Sequence, residues 1–186
     1  MHAILTFAAD ILEGNHEYPR ALEILEEYLE RSWGKREQYR AYEMIARLYT
    51  TKNDFANSIV YLERQLPIAK KTKNVESEAA ALRGLAHNYG RMGDYGNAMA
   101  YLEQALVIRS ELGGDGIGLT YSAMGNVLVA QEGREKEGIL MFQKCVGLFE
   151  QGNIALMPLF LKLGQAHEHP GLERCYRIYG ERLIYY

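Results

Sequence analysis

The chain has 186 residues, 48% hydrophobic and 24% charged, and its 21 Lys+Arg against 24 Asp+Glu leave a formal net charge of −3. This length suits one domain or one repeat array of about 150–200 residues with a continuous core. The near-neutral balance excludes a dedicated nucleic-acid binder, which needs a concentrated basic face. Lys70, Lys71 and Lys73 form the densest basic run and read as a solvated helix end. Two cysteines, Cys145 and Cys175, are too few for a disulfide framework or a zinc site. A reducing compartment is expected, read as the cytoplasm. No apolar run of about eighteen residues offers a membrane span, and MHAILTFAADILEG lacks the basic start of a secretory signal.

Taken in chain order, apolar residues at three- and four-residue intervals predict ten helices. The first, over 2–14, carries Ala8-Ala9 with Leu12; the second, over 18–32, has Pro19 in its first turn and the stripe Ala21, Leu22, Leu25, Leu29. The third, 36–51, holds Ile45-Ala46 with Tyr49. Asp54 is placed to cap the fourth, 54–72, and Pro67 inside it predicts a kink or an early end. The fifth, 76–91, repeats the earlier pattern as Leu85-Ala86 with Tyr89. After a Gly93-Asp94 turn the sixth, 95–112, carries Ala98, Leu102 and Leu106 and stops at Gly113-Gly114. The seventh, 117–131, holds Met124-Gly125 with Leu128; the eighth, 135–151, has Gly138, Ile139, Phe142 and Val146 and stops at Gly152-Asn153. The ninth, 157–168, contains Leu163-Gly164 with His167, and the tenth, 171–184, the stripe Leu172, Cys175, Tyr176, Tyr179, Leu183.

The even-numbered helices are copies of one another. DFANSIVYLERQL from Asp54, DYGNAMAYLEQAL from Asp94 and REKEGILMFQKCV from Arg134 align without a gap at a spacing of 40, and YPRALEILEEYL is an earlier copy. Small residues recur at Ser58, Ala98 and Gly138, and on the preceding helices at Ala46, Ala86 and Gly125, where short side chains let two helices approach to about 8–10 Å. The unit is a helical hairpin.

The small residues at Ala9, Ala46, Ala86, Gly125 and Gly164, the Gly93-to-Tyr95 turn and the set Ala98, Leu102, Ala105 resemble the tetratricopeptide repeat, best in ALRGLAHNYGRMGDYGNAMAYLEQALVI from Ala81. The long spacing is similar to that of the G-protein signalling modulators. Gln65 and Tyr28 depart from the pattern, standing where the other copy has the small Ala105. The resemblance implies an all-α fold, a right-handed α-α superhelix (TPR solenoid) of about five helical hairpins, in one array over 1–186. Its approximate repeats are 2–34, 36–74, 75–114, 115–152 and 153–186, with first helices lining a concave groove.

No catalytic constellation is visible, so a non-enzyme without metal or cofactor is expected. His167 and His169 stand two apart, whereas a helix presents ligands to one side at a spacing of four. GGDGIG from Gly113 follows no strand and lacks the Lys-Ser/Thr of a phosphate loop. If Ile45, Leu85, Met124 and Leu163 point into the hairpins, Arg47, His87, Asn126 and Gln165, two residues on, turn toward the groove. Glu43, Arg83, Ser122 and Leu161 should flank it, and Arg40 and Arg91 lie one turn away. Arg, His, Asn and Gln donate to backbone carbonyls and carboxylates, which predicts a protein or peptide partner of acidic character held as an extended segment.

In relatives that clamp a C-terminal carboxylate, Lys/Arg and Asn stand at fixed offsets. Here Glu43 and His87 occupy two of those places and only Arg83 and Asn126 fit, so the resemblance implies an internal segment instead. The alternative is a structural subunit of a larger assembly, drawn from the 14 tyrosines and the uncapped end Ile184, Tyr185, Tyr186, which predicts contact with another chain or another copy.

Overall fold

The computed structural model describes residues 18–31, 34–113 and 116–152. Among them are seven helices and no strand: α1 (Tyr18–Glu30), α2 (Lys35–Thr51), α3 (Phe55–Lys71), α4 (Val75–Arg91), α5 (Tyr95–Leu112), α6 (Gly116–Val129) and α7 (Glu135–Gly152). The fold is an all-α helical repeat. The first, ninth and tenth predicted helices and the end at Ile184–Tyr186 lie outside the described residues.

Turn chemistry sets the helix ends. After α2, Asp54 N–H donates to Tyr49 O at 2.9 Å and Asn53 N–H to Thr50 O at 3.0 Å. The same pair recurs after α3 (Asn74 to Ala69, Lys73 to Lys70) and after α4 (Asp94 to Tyr89, Gly93 to Gly90). These are Schellman closures. In each, the residue that ends one helix also starts the next: Asp54, Asn74 and Asp94 accept from the N–H groups of Asn57, Ser77 and Asn97 at 3.2, 3.1 and 3.1 Å. The Asn97 side-chain amide and its backbone N–H hold the Asp94 carboxyl below its usual range. Arg134 occupies the corresponding place before α7 and cannot accept, so Glu135 receives Gly133 N–H at 3.1 Å while Arg134 pairs with Glu137 at 2.7 Å.

Each Schellman turn needs one residue in the left-handed region. Gly93 supplies it at φ 81°, where no Cβ opposes the conformation, but Lys73 adopts φ 52° with a full side chain. Pro67 does not end its helix early: α3 continues through it to Lys71. The ring is exposed, so the carbonyl that loses its helical N–H lies on the water side. α6 ends at Val129, two residues short of the expected 131, ahead of the left-handed Gly133.

The chain divides into two compact units, 1–105 and 106–186. In the first, α1 and α2 bury Ala21, Leu25, Ile45 and Leu48 together, and Ala46, Ile59, Leu62 and Leu85 form the next cluster across α2, α3 and α4. Tyr61 packs against both. Ala86 and Ala98, expected at a close crossing, are 1% and 0% exposed. In the second unit α6 and α7 meet glycine to glycine. A Cβ on Gly138 would lie 2.5 Å from Val129 Cγ2 and 2.9 Å from Gly125 O, and one on Gly125 would lie 2.7 Å from Phe142.

Two outcomes follow for stability. Gly138→Ala overpacks the α6–α7 crossing and lowers stability by about 1–3 kcal/mol, seen as a lower Tm. Lys73→Gly relieves the left-handed residue and raises stability by about 0.5–1 kcal/mol; a lower Tm for that variant would show the turn to be unstrained.

Candidate functional site

Helical periodicity places residues 36, 40, 43 and 47 of α2 on one stripe, and 76, 83, 87 and 91 of α4 on the equivalent one. Arg36, Arg40, Arg47, Arg83, His87 and Arg91 are all exposed there, while Ile45 and Leu85 beneath them are 0% exposed. The two first helices are direct neighbours along their length. Tyr39 Oη donates to Ser77 O at 3.1 Å near one end, Thr50 Oγ1 to Asn88 Oδ1 at 3.1 Å near the other, and Arg91 to Asn53 Oδ1 at 3.5 Å just beyond. All three contacts join residues 38 apart, so α2 and α4 run parallel in one constant register.

The expected site residues fare differently. Arg47 and Arg83 are exposed with no side-chain ion pair among the described residues, and Arg40 and His87 are exposed beside them. Arg91 is partly engaged within the chain, its guanidinium 5.0 Å from the centre of the Phe55 ring. Asn126 is exposed on α6 in the second unit. Ser122 does not flank a groove: it is 9% exposed, buried where α6 meets Cys145 of α7. Gln165 and Leu161 lie outside the described residues. Arg36, at the start of α2, joins the stripe and is legible in the sequence only as the residue one turn before Arg40.

A buried polar ring under this face also escapes sequence reasoning. Ser58 Oγ donates to Ala46 O at 2.8 Å and accepts from Asn88 Nδ2 at 2.7 Å, while Thr50 Oγ1 lies 2.8 Å from Ser58 Oγ. The ring ties α2, α3 and α4 together. Its signal in the sequence is Asn88, 1% exposed, at a position occupied by Leu48 and Val127 in the neighbouring copies.

Tyrosines bind the same helices together. Tyr49 stacks on Tyr61 with centroids 5.7 Å apart, and the equivalent Tyr89 on Tyr101 at 5.5 Å. Tyr61 Oη donates to Glu26 at 3.2 Å and Tyr89 Oη to Glu63 at 3.4 Å. Burial first, then these carboxylates, raise both phenol pKa values. No tyrosine among the described residues is exposed.

Among the described residues nothing is arranged for covalent chemistry. Burial pushes the Cys145 thiol up to about 11, away from thiolate reactivity. No three His, Cys, Asp or Glu of the described residues gather as metal ligands, and none of their helices is long and apolar enough to cross a membrane. His167 and His169 fall outside them.

Hairpins repeated at a constant interval, packed on small residues and presenting polar first-helix faces, define an α-helical repeat protein. The tetratricopeptide repeat family model matches residues 37–111 and again 77–151, and the chain belongs to that family. A crystal structure of nearly identical TPR-like repeats from Podosopora anserina, described as a kinesin light chain, has a TM-score of 0.70 at 20% identity, covering 98% of this chain and 88% of that one. A point variant of that protein gives 0.71 at the same identity and coverage. No curated protein matches the sequence. Proteins built of such repeats are scaffolds that mediate protein–protein interaction, typically without catalysis.

Ser58→Ala strands the Asn88 amide and costs about 1–3 kcal/mol, although alanine is native at the equivalent Ala98. Adding Asn88→Leu recovers much of that loss, because both polar partners are then gone. A denaturant double-mutant cycle checks it; additive losses would show that the ring is not coupled.

Proposed function

We propose that this protein is a non-catalytic interaction module, one array over 1–186, whose first-helix face holds an extended acidic segment of a partner protein. The supporting observation is the row of exposed arginines, Arg36, Arg40, Arg47, Arg83 and Arg91, on two neighbouring parallel helices of a chain whose net charge is −3. Only Glu43 and Glu76 oppose them on those stripes. A merely solvated face in a chain of near-balanced charge has no reason to collect one sign.

Neighbouring first helices stand about 8–10 Å apart and an extended peptide advances about 3.3 Å per residue, so each helix meets every second or third peptide residue. Arg40, Arg47 and Arg83 pair with carboxylates, and His87 hydrogen-bonds beside them. Asn126 and Gln165, at the corresponding positions of later repeats, donate to and accept from the peptide backbone. The long spacing shared with the signalling modulators supports an internal segment over a chain terminus. A buried, unpaired Cys145 is compatible with a reducing compartment such as the cytoplasm.

Binding of an acidic peptide, identified by pull-down and followed by calorimetry, tests the proposal. Arg83→Ala weakens it by about 1.5–3 kcal/mol, as for a charge-assisted contact, and Asn126→Ala by about 0.5–1.5. Added salt narrows the difference. If both variants bind like the parent while Val60 or Leu140, exposed on the second helices, proves essential, the chain is instead a subunit held through its outer face.

A further inference from the structure

We infer that the arginine face of α2 also receives the outer face of α1 from a second copy of this chain, an association that goes beyond the peptide reading and does not depend on it.

Four equivalent outward positions recur on every second helix. On α3 they hold Val60, Glu63, Arg64 and Pro67; on α5, Ala100, Glu103, Gln104 and Val107; on α7, Leu140, Gln143, Lys144 and Gly147. On α1 all four are glutamates, Glu23, Glu26, Glu27 and Glu30, and all are exposed. Carboxylates are thus gathered on one helix, as arginines are gathered on the face of α2 and α4.

The two faces do not meet within the chain. Ala21 and Leu25 of α1 and Ile45 and Leu48 of α2 share one core, and Glu23, Glu30 and Arg47 are exposed outside it, while Glu26 reaches Tyr61 at its edge and Arg40 lies near enough to Tyr28 to act on its phenol. None of the α1 glutamates pairs with an arginine of α2 among the described residues: Glu27 pairs with Arg31 of its own chain segment at 2.7 Å, and Glu26 accepts from Tyr61 Oη of α3 at 3.2 Å. Glu23, Glu30 and Arg47 have no side-chain partner there.

Spacing makes the faces complementary. Glu23 and Glu30 are seven residues apart on one helix, as are Arg40 and Arg47 on another, and both intervals are about 10 Å at 1.5 Å per residue. An α1 laid on α2 of a second copy therefore engages both pairs together. Because different surfaces meet, the contact is heterologous and leaves a free acidic and a free basic face at its two ends. Self-association and an acidic partner compete for the same arginines.

Sedimentation velocity of the full chain over a concentration series, at low and high salt, tests this. The parent associates at low salt and dissociates as salt rises. Glu23→Arg with Glu30→Arg, and separately Arg40→Glu with Arg47→Glu, each weaken association about tenfold or more, and an equimolar mixture of the two variants restores it. Circular dichroism melts confirm that both remain folded. A parent that stays monomeric, variants that associate like the parent, or a mixture that fails to associate would each overturn the inference. Titration with a Glu-rich peptide separates the two ideas: the glutamate variant keeps its arginine face and still binds the peptide. A parent that self-associates yet ignores the peptide sustains this inference and removes the peptide reading.

Discussion

The longer-range features of the described residues depend on a three-residue turn in which one residue closes a helix with its backbone N–H and opens the next with its side chain. With Asp54, Asn74 and Asp94 in that double role, each left-handed residue follows the last at an interval of 20: Asn53, Lys73, Gly93, Gly113, Gly133. Helices started at a constant interval then meet their neighbours at constant offsets, which is why Tyr39, Thr50 and Asn53 all find partners 38 residues on. A single inserted residue would rotate the rest of its helix by about 100° and carry Arg47 or His87 toward the core. The turn is therefore as much a determinant of the exposed face as of the fold.

The same crossing problem is solved twice with different chemistry. Where α6 meets α7, shape decides: Gly125 and Gly138 remove both side chains, and Phe142 fills the space left over Gly125. Where α2 meets α3, Ser58 keeps a hydroxyl at the contact and donates it to Ala46 O, so a third helix can be tied in through Asn88. A glycine contact fixes distance alone. The polar ring also fixes the position of α4 along α2, since sliding by one turn would leave three buried groups without partners. Register between the arginine-bearing helices thus has a specific chemical cause.

Much of this is legible in the sequence because it is periodic. All seven described helices end within two residues of their expected limits, since Asp54, Asp94, Gly93 and Gly113 carry their own turn chemistry, and Ile45, Leu85 and Met124 are buried as the repeat requires. What escapes is what breaks the period or depends on a neighbour. Pro67 weighs against α3 by local propensity, but burial of Ile59, Leu62, Gln65 and Ala69 on one side outweighs a single lost hydrogen bond on the exposed side. Ser122 has the offset of a groove residue, yet it is buried, with its backbone bonded to Cys145 of the neighbouring α7, a partner its own helix does not reveal. Arg91 falls on the right stripe, but nothing in its own helix reveals that Phe55, 36 residues earlier, lies beneath it.

Tyrosine and arginine divide the described helices between packed and exposed positions. Enrichment in tyrosine points toward a subunit buried in a larger assembly, because exposed aromatic rings are what such interfaces use. In the described residues the rings are consumed within the chain. They stack between first and second helices as Tyr49–Tyr61 and Tyr89–Tyr101, reach carboxylates of the preceding copy, and none is exposed. With the helices fixed by tyrosine, the outward positions of α2 and α4 carry exposed arginines, of which Arg91 alone is shown resting on a ring, that of Phe55. An interface built on such a face would be polar and salt-sensitive, because exposed charges are screened by added salt.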